Sequence, residues 1–232
     1  MKKITYYGTT LLFALIALLY IFVLITVYNK DFLHVQSGIG FNMKAVHNYV
    51  GYCVGIGAYV AYVLLLLPFP KVRHNLRWFM RFTHELTHTF HAILFFAKIH
   101  EFIVKERRCY VYYEANRLGY VPITLSPYCI PIYTFMLLPF RFFGDNSYMF
   151  VFDILIAFTY AFHVHSFMKY TRPSQDDIQG CGLALSTSYL AATHLIILSL
   201  LLATPAGGVM KALLRVFWEY PYDIIRDLIT FF

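Results

Sequence analysis

The chain has 232 residues, 59% of them hydrophobic, 19% aromatic and only 13% charged, where a soluble domain carries about 45–50% apolar and about 25% charged residues. With a mean hydropathy of +0.60, these values exclude a disordered chain, a coiled coil and an ordinary soluble domain, and the length suits one helical membrane domain. The net charge is +7, but the cations stand in the breaks between apolar runs, so they read as topology signals and lipid-headgroup contacts and not as a nucleic-acid surface.

The first apolar run, Thr9 to Tyr28, follows Lys2 and Lys3. It is longer than the core of a cleavable signal peptide, so it reads as an uncleaved span with a cytoplasmic N-terminus. A polar loop with Lys30, Asp31, His34 and Lys44 leads to a second span, from about His47 to Phe69. In it Gly51 and Gly55, four apart, predict a close helix–helix approach. Pro68 and Pro70 end that span, and Lys71, Arg73, Arg77 and Arg81 mark the following loop as cytoplasmic. A third span is expected over Leu76 to Ile99.

Residues 101–124 are rich in β-branched and aromatic types broken by charges, which predicts a hairpin at the membrane surface. Phe102 to Glu114 forms its first part, Asn116 to Gly119 a turn, and Tyr120 to Thr124 a second extended piece. Ser126 to Phe143, punctuated by Pro127, Pro131 and Pro139, predicts a kinked or re-entrant span. Spans over Ser147 to Tyr170 and Ile178 to Thr204 complete a count of six. Beyond Pro205, Lys211, Arg215 and Glu219 share one helical face and Pro221 breaks the helix, so residues 205–232 read as an amphipathic interfacial tail. The expected fold is all-α and integral to the membrane: a multi-pass bundle of about six transmembrane helices over residues 1–204, with the surface hairpin and the interfacial C-terminal helix. Cys53, Cys109, Cys129 and Cys181 include no CxxC pair and imply no disulfide framework.

The residues that carry chemistry are His84-Glu85-Leu86-Thr87-His88, an HExxH. On a helix, positions i and i+4 lie one above the other, so His84 and His88 converge on one metal ion, and zinc accepts imidazole nitrogen readily. Glu85 is the natural general base for an attacking water. A carboxylate and two imidazoles within an apolar helix are costly unless they have partners. His91 falls on the same stripe but too far along the axis to close around the same ion, which makes it a supporting or cavity-lining residue. A third ligand must come from elsewhere. Asp153 lies early in an apolar span and asks for a partner, and Asp177 stands just before the last clear span, where its ordinary role is that of a first-turn acid. His163 and His165, two apart in one span, point in different directions. A water path to a site at this depth needs polar walls, for which Thr83, Thr87, His91 and Asp153 or His163 are the available groups.

Thr83-His84-Glu85-Leu86-Thr87-His88 on a membrane helix resembles the site-2 protease group of intramembrane zinc metallopeptidases, and is closest to its compact site-2-protease-like members. The likeness runs on through Cys109-Tyr-Val-Tyr-Tyr-Glu114, Leu125-Ser-Pro-Tyr-Cys-Ile-Pro131, Phe158-Thr-Tyr-Ala-Phe-His163 and Gln175-Asp-Asp-Ile-Gln-Gly180, covering about Leu76 to Leu185. The resemblance implies a peptidase core over about 76–185, Zn²⁺ as cofactor, and an aspartate as third ligand. The better-known members supply that aspartate from a Leu-Asp-Gly, which this chain lacks. Asp153 stands on the helix that would run parallel to the HExxH helix, whereas the segment around Asp177 matches the compact members best, so both remain open.

The expected function is hydrolysis of peptide bonds in membrane-embedded protein substrates, with the lipid bilayer as the other partner and no nucleic acid. The alternatives are a non-catalytic relative that kept the fold and a His-rich membrane di-iron oxidase, for which the histidine boxes are too few.

Overall fold

Residues 3–32, 48–66, 68–105, 109–144 and 148–231 are described by a computed structural model. His34, Lys44, His47 and Ser147, expected in loops or at span ends, lie outside them. The described chain is mostly helical, 83%, with one two-stranded sheet.

A run without proline, dominated by Leu, Ile, Tyr and Thr, forms helix α1 (Lys3–Val27), which ends in one π-helical turn, Tyr28–Phe32. Leu11, Leu12, Leu15 and Leu18 are each more than half exposed, which in a folded chain marks a lipid-facing surface. Helix α2 (Val50–Leu66) follows, and Pro70 at the first position opens α3 (Pro70–Leu94). Three helical stretches are long and apolar enough to cross a membrane, and one bent pair adds a fourth. This supports a membrane protein, but the six spans expected are not reached among the described residues. At 17 residues, α2 is about 25 Å long against an apolar bilayer core of about 30 Å. Helix α3 carries Arg73, Arg77, Arg81, Glu85 and four histidines, too polar a set for the spanning role expected over Leu76 to Ile99.

The hairpin exists, but its strands differ from those expected. Strand β1 (Lys98–Val104) pairs antiparallel with β2 (Cys109–Glu114), with a bulge between Ile99 and Glu101. Tyr120 to Thr124 is not extended; it opens helix α4 (Tyr120–Cys129). Asn116 decides this locally. Its Oδ1 accepts the Gly119 N–H at 2.6 Å and its carbonyl accepts the Tyr120 N–H at 3.0 Å, a turn that feeds directly into a helix, and Pro122 lies in the first turn, where a missing N–H costs nothing.

Helix α5 (Ile132–Phe143) departs from α4 at 81°, so the proline-punctuated segment is bent as expected. Pro131 lacks the N–H that would continue α4. Helix α6 (Met149–Tyr170) packs along α2. Here the glycine spacing has its effect: a Cβ at Gly55 would collide with the Ile154 carbonyl, and one at Gly51 would stand 2.8 Å from the Asp153 Cβ. In lipid such close approach, and not water exclusion, drives association.

A short helix, α7 (Asp176–Cys181), precedes the long α8 (Leu183–Leu214). Gly182 separates them at φ +85°, with the Tyr6 ring where a Cβ would lie, so only glycine turns the chain here. Helix α8 passes through Pro205 and breaks at Gly208 (φ +80°), then leads by a π-helical turn, Arg215–Glu219, into α9 (Tyr220–Phe231). The boundary expected at residue 205 therefore falls inside a helix, and Pro221 starts α9 instead of ending a helix. Nor is this tail only peripheral: Ala212, Val216 and Tyr220 are buried in the core formed by α1 and α8. The reason is Asp31. Buried at the end of α1, it accepts hydrogen bonds from Arg215 Nη1 at 2.6 Å and from Tyr220 Oη at 3.0 Å, so the tail supplies the charge and hydroxyl that the carboxylate requires.

Candidate metal centre

The HExxH lies in the fifth turn of α3 and the start of the sixth, facing α4, the hairpin and α7. His84 and His88 stand one turn apart, their ring centroids separated by 4.9 Å. Helix α7 brings up Asp177 by burying Ile178 and Cys181 against Leu125, Tyr128 and Cys129. Asp177 Oδ2 lies 3.5 Å from His84 Nε2 and 3.6 Å from His88 Nε2. Among the described residues, His84, His88 and Asp177 form a group whose donor atoms all lie within 4.8 Å of one another, able to hold a metal ion.

Two magnitudes separate the possible uses of this group. A hydrogen bond between imidazole N–H and carboxylate belongs at about 2.7–3.0 Å, and both contacts are longer. Donors at about 2.0–2.1 Å in a tetrahedron stand about 3.3–3.4 Å apart, close to the spacing seen. His88 is buried while the side chains of His84 and Asp177 keep 24% and 29% exposure, so one side of the group stays open. Burial alone would raise the Asp177 carboxyl, but the His84 and His88 rings beside it hold it well below the usual carboxylate range. It meets the group as an anion.

Each of the three has a neighbour that fixes it. Pro127 has no N–H to offer the carbonyl four residues back, Ile123, and that carbonyl is left to accept the His88 Nδ1–H at 2.8 Å. The proline thereby selects the tautomer that presents Nε2 to the group. Ser126 Oγ donates to the same carbonyl at 2.9 Å. Tyr128 Oη–H donates to Asp177 Oδ2 at 2.9 Å, and the Tyr128 ring stands edge-on to His84 at 5.1 Å. Sequence reasoning did not single out Tyr128 or the Ile123 carbonyl. Pro127, which must leave a carbonyl unpaired if its segment is helical, was the available signal.

Glu85 is not part of the group. Its Oε2 accepts the backbone N–H of Val111 at 3.1 Å, so the hairpin lies directly over the motif. Asp153 is placed elsewhere: its two oxygens accept Arg141 Nε at 2.8 Å and Nη2 at 3.5 Å, both residues being buried. The guanidinium is the partner its position called for. His91 is buried, but its Nδ1–H donates to the Thr87 carbonyl of its own helix at 3.0 Å, and it belongs neither to the group nor to the cleft beside it. That cleft is small and lies between α3, the α4–α5 elbow and α6, with Thr83, His84, Thr87, Tyr133, Phe162 and His163 in its walls. His163 is thus where a cavity-lining residue was expected, while His165 turns away to Tyr59 Oη at 2.7 Å.

Compared with protein-family models, curated proteins and solved structures, the chain finds no match.

Proposed function

We propose that the protein is a zinc-dependent membrane metallopeptidase, of the compact site-2-protease-like kind that its motif resembles, acting on membrane-embedded protein substrates. The observation that carries this reading is the convergence of Asp177 on the two histidines of an HExxH, from a segment some ninety residues away in sequence. In this reading His84 Nε2, His88 Nε2 and Asp177 Oδ2 would hold the ion, and the side of the group that stays exposed would admit water and substrate. Bound there, zinc supplies Lewis-acid chemistry, polarising a water and a substrate carbonyl.

The chain's own groups do the rest. The Ile123 carbonyl and Tyr128 Oη keep two ligands in register. The Glu85 carboxylate takes the proton of the attacking water and returns it to the leaving amine nitrogen, so that it ends the cycle unprotonated. The Val111 N–H holds one Glu85 oxygen in place while the other remains for that proton. A substrate helix must unwind first, because its carbonyls are closed by its own hydrogen bonds. The same reading keeps the N-terminus and the Lys71 to Arg81 segment in the cytoplasm.

The test is metal content and cleavage together. Purified wild-type protein should carry one zinc per chain and cut a model spanning substrate in vesicles, and Glu85→Gln should keep the zinc and lose cleavage by about 10³-fold or more. Loss of zinc from Glu85→Gln, or two irons in the wild type, would overturn the assignment.

A further inference from the structure

Helix α3 ends in a conformation from which the fold itself gains nothing. The Ala97 N–H donates to the Ala92 carbonyl at 2.8 Å and the Phe96 N–H to the Ile93 carbonyl at 3.1 Å, the paired bonds of a helix terminus whose turning residue is ordinarily glycine. Here the turning residue is Phe96, at φ +53°, the only non-glycine residue at positive φ among the described residues. A side chain makes that conformation costly. Packing of the ring inside the protein could offset the cost, but Phe96 is 93% exposed. What the ring contributes therefore lies outside the fold.

A second turn stands beside it. The Asn116 amide donates to the Phe95 carbonyl at 3.0 Å, and a Cβ at Gly119 would meet the Phe95 Cβ at 2.9 Å, so the turn between β2 and α4 is packed against the end of α3. That turn presents Leu118, 83% exposed. Turn tips are ordinarily small or polar, yet these two joined turns each hold out a large apolar side chain. Phe90, Ile93 and Leu94, each more than half exposed and spaced three and four apart, carry the same apolar face along α3. The tips also have cations at their edge. Lys98 and Arg117 are exposed within two residues of them, and the Glu114 carboxylate, paired across the ribbon from Lys98, lies 3.6 Å from His100 Nε2.

Apolar tips edged by long cations are what a bilayer surface accepts. Rings and leucines enter the acyl boundary, while Lys and Arg stems reach back to the headgroup phosphates. We propose that Phe96 and Leu118 form a wedge that enters the bilayer and anchors the end of α3 and the open end of the hairpin to it. Only the side chains enter, because the backbone groups of two turns have no partners in hydrocarbon. The wedge holds whether or not the metal centre cuts peptides.

The experiment places a benzophenone amino acid in turn at Phe96, Leu118, Leu15 and Glu114 of the full chain, in vesicles of phosphatidylcholine and phosphatidylglycerol. After irradiation, mass spectrometry identifies what each position is joined to. Phe96 and Leu118 should give acyl-chain adducts within about threefold of Leu15, on the exposed side of α1, and about tenfold above Glu114 in the same hairpin. Phe96→Gly, which suits the left-handed turn, should keep the helical circular dichroism and lower the acyl adducts of a label at Leu118 by about threefold, since half of the wedge is gone. If a label at Phe96 prevents folding, the label at Leu118 decides the matter. Acyl adducts at the tips no more frequent than at Glu114, adducts joining two copies of the chain in their place, or Leu118 adducts untouched by Phe96→Gly would overturn the wedge.

Discussion

Asp153 and Asp177 both lie away from bulk water, and the protein answers them differently. Asp153 is met by Arg141, a fixed cation whose fork reaches both of its oxygens. Asp177 is met by two imidazoles and a phenol hydroxyl, none of which carries a permanent positive charge. The first pair is closed: its charge is neutralised within the protein and nothing further is needed. The second is open: the two imidazole nitrogens stand 3.5 and 3.6 Å from the carboxylate oxygen, wider than hydrogen bonds and suited to a cation between them. A carboxylate in a membrane helix is thus not by itself a ligand; what distinguishes the two is whether the neighbours already supply the countercharge.

Changing each carboxylate tests that contrast. Asp177→Ala should abolish zinc binding at micromolar metal, since two imidazoles alone do not hold the ion in a catalytic site, and metal analysis after dialysis reads this directly. Asp153→Asn should leave the zinc in place and instead destabilise the fold by about 3–5 kcal/mol, the cost of leaving a buried guanidinium unpaired, measured by denaturant unfolding in detergent. Replacing Arg141 and Asp153 together with leucines should recover most of that loss. If Asp153→Asn released the zinc and Asp177→Ala kept it, the contrast would be reversed.

Smaller effects sharpen it. Tyr128→Phe removes the hydroxyl that holds Asp177 and should weaken zinc by about 10–100-fold, the usual effect of losing a group that orients a ligand, as read by competition with a chelator. Val111→Pro removes the N–H given to Glu85. It should slow cleavage by about tenfold, one hydrogen bond's worth, with zinc content unchanged.

What could be read from the sequence follows from the range of each interaction. His84 and His88 are four residues apart, so helix geometry alone joins them. Asp177 joins them only through the packing of α7 on α4, which no spacing reveals, and so Asp153 stood beside it as the alternative. Yet Arg141 offered a signal: it is the lone cation in the apolar stretch Ser126 to Phe143, and two opposite charges left alone in neighbouring membrane helices should find each other. The hairpin was legible as a composition, but its register was not. Tyr120 to Thr124 reads as extended by residue type, and the Asn116 turn and the α4 contacts override that preference. The tail's docking escaped for the same reason, since Asp31 and Arg215 are 184 residues apart.

A two-stranded ribbon by itself is only marginally stable. Here the ribbon is fastened to α3 at two places, by the Val111 N–H on Glu85 and by the Asn116 amide on the Phe95 carbonyl at 3.0 Å. Exchange of the Val111 amide proton with solvent therefore requires the ribbon to lift from the helix, and each such opening also frees the Glu85 carboxylate. The protection factor of that single amide, read by hydrogen–deuterium exchange, becomes a clock for the motif, timing how often the ribbon uncovers it.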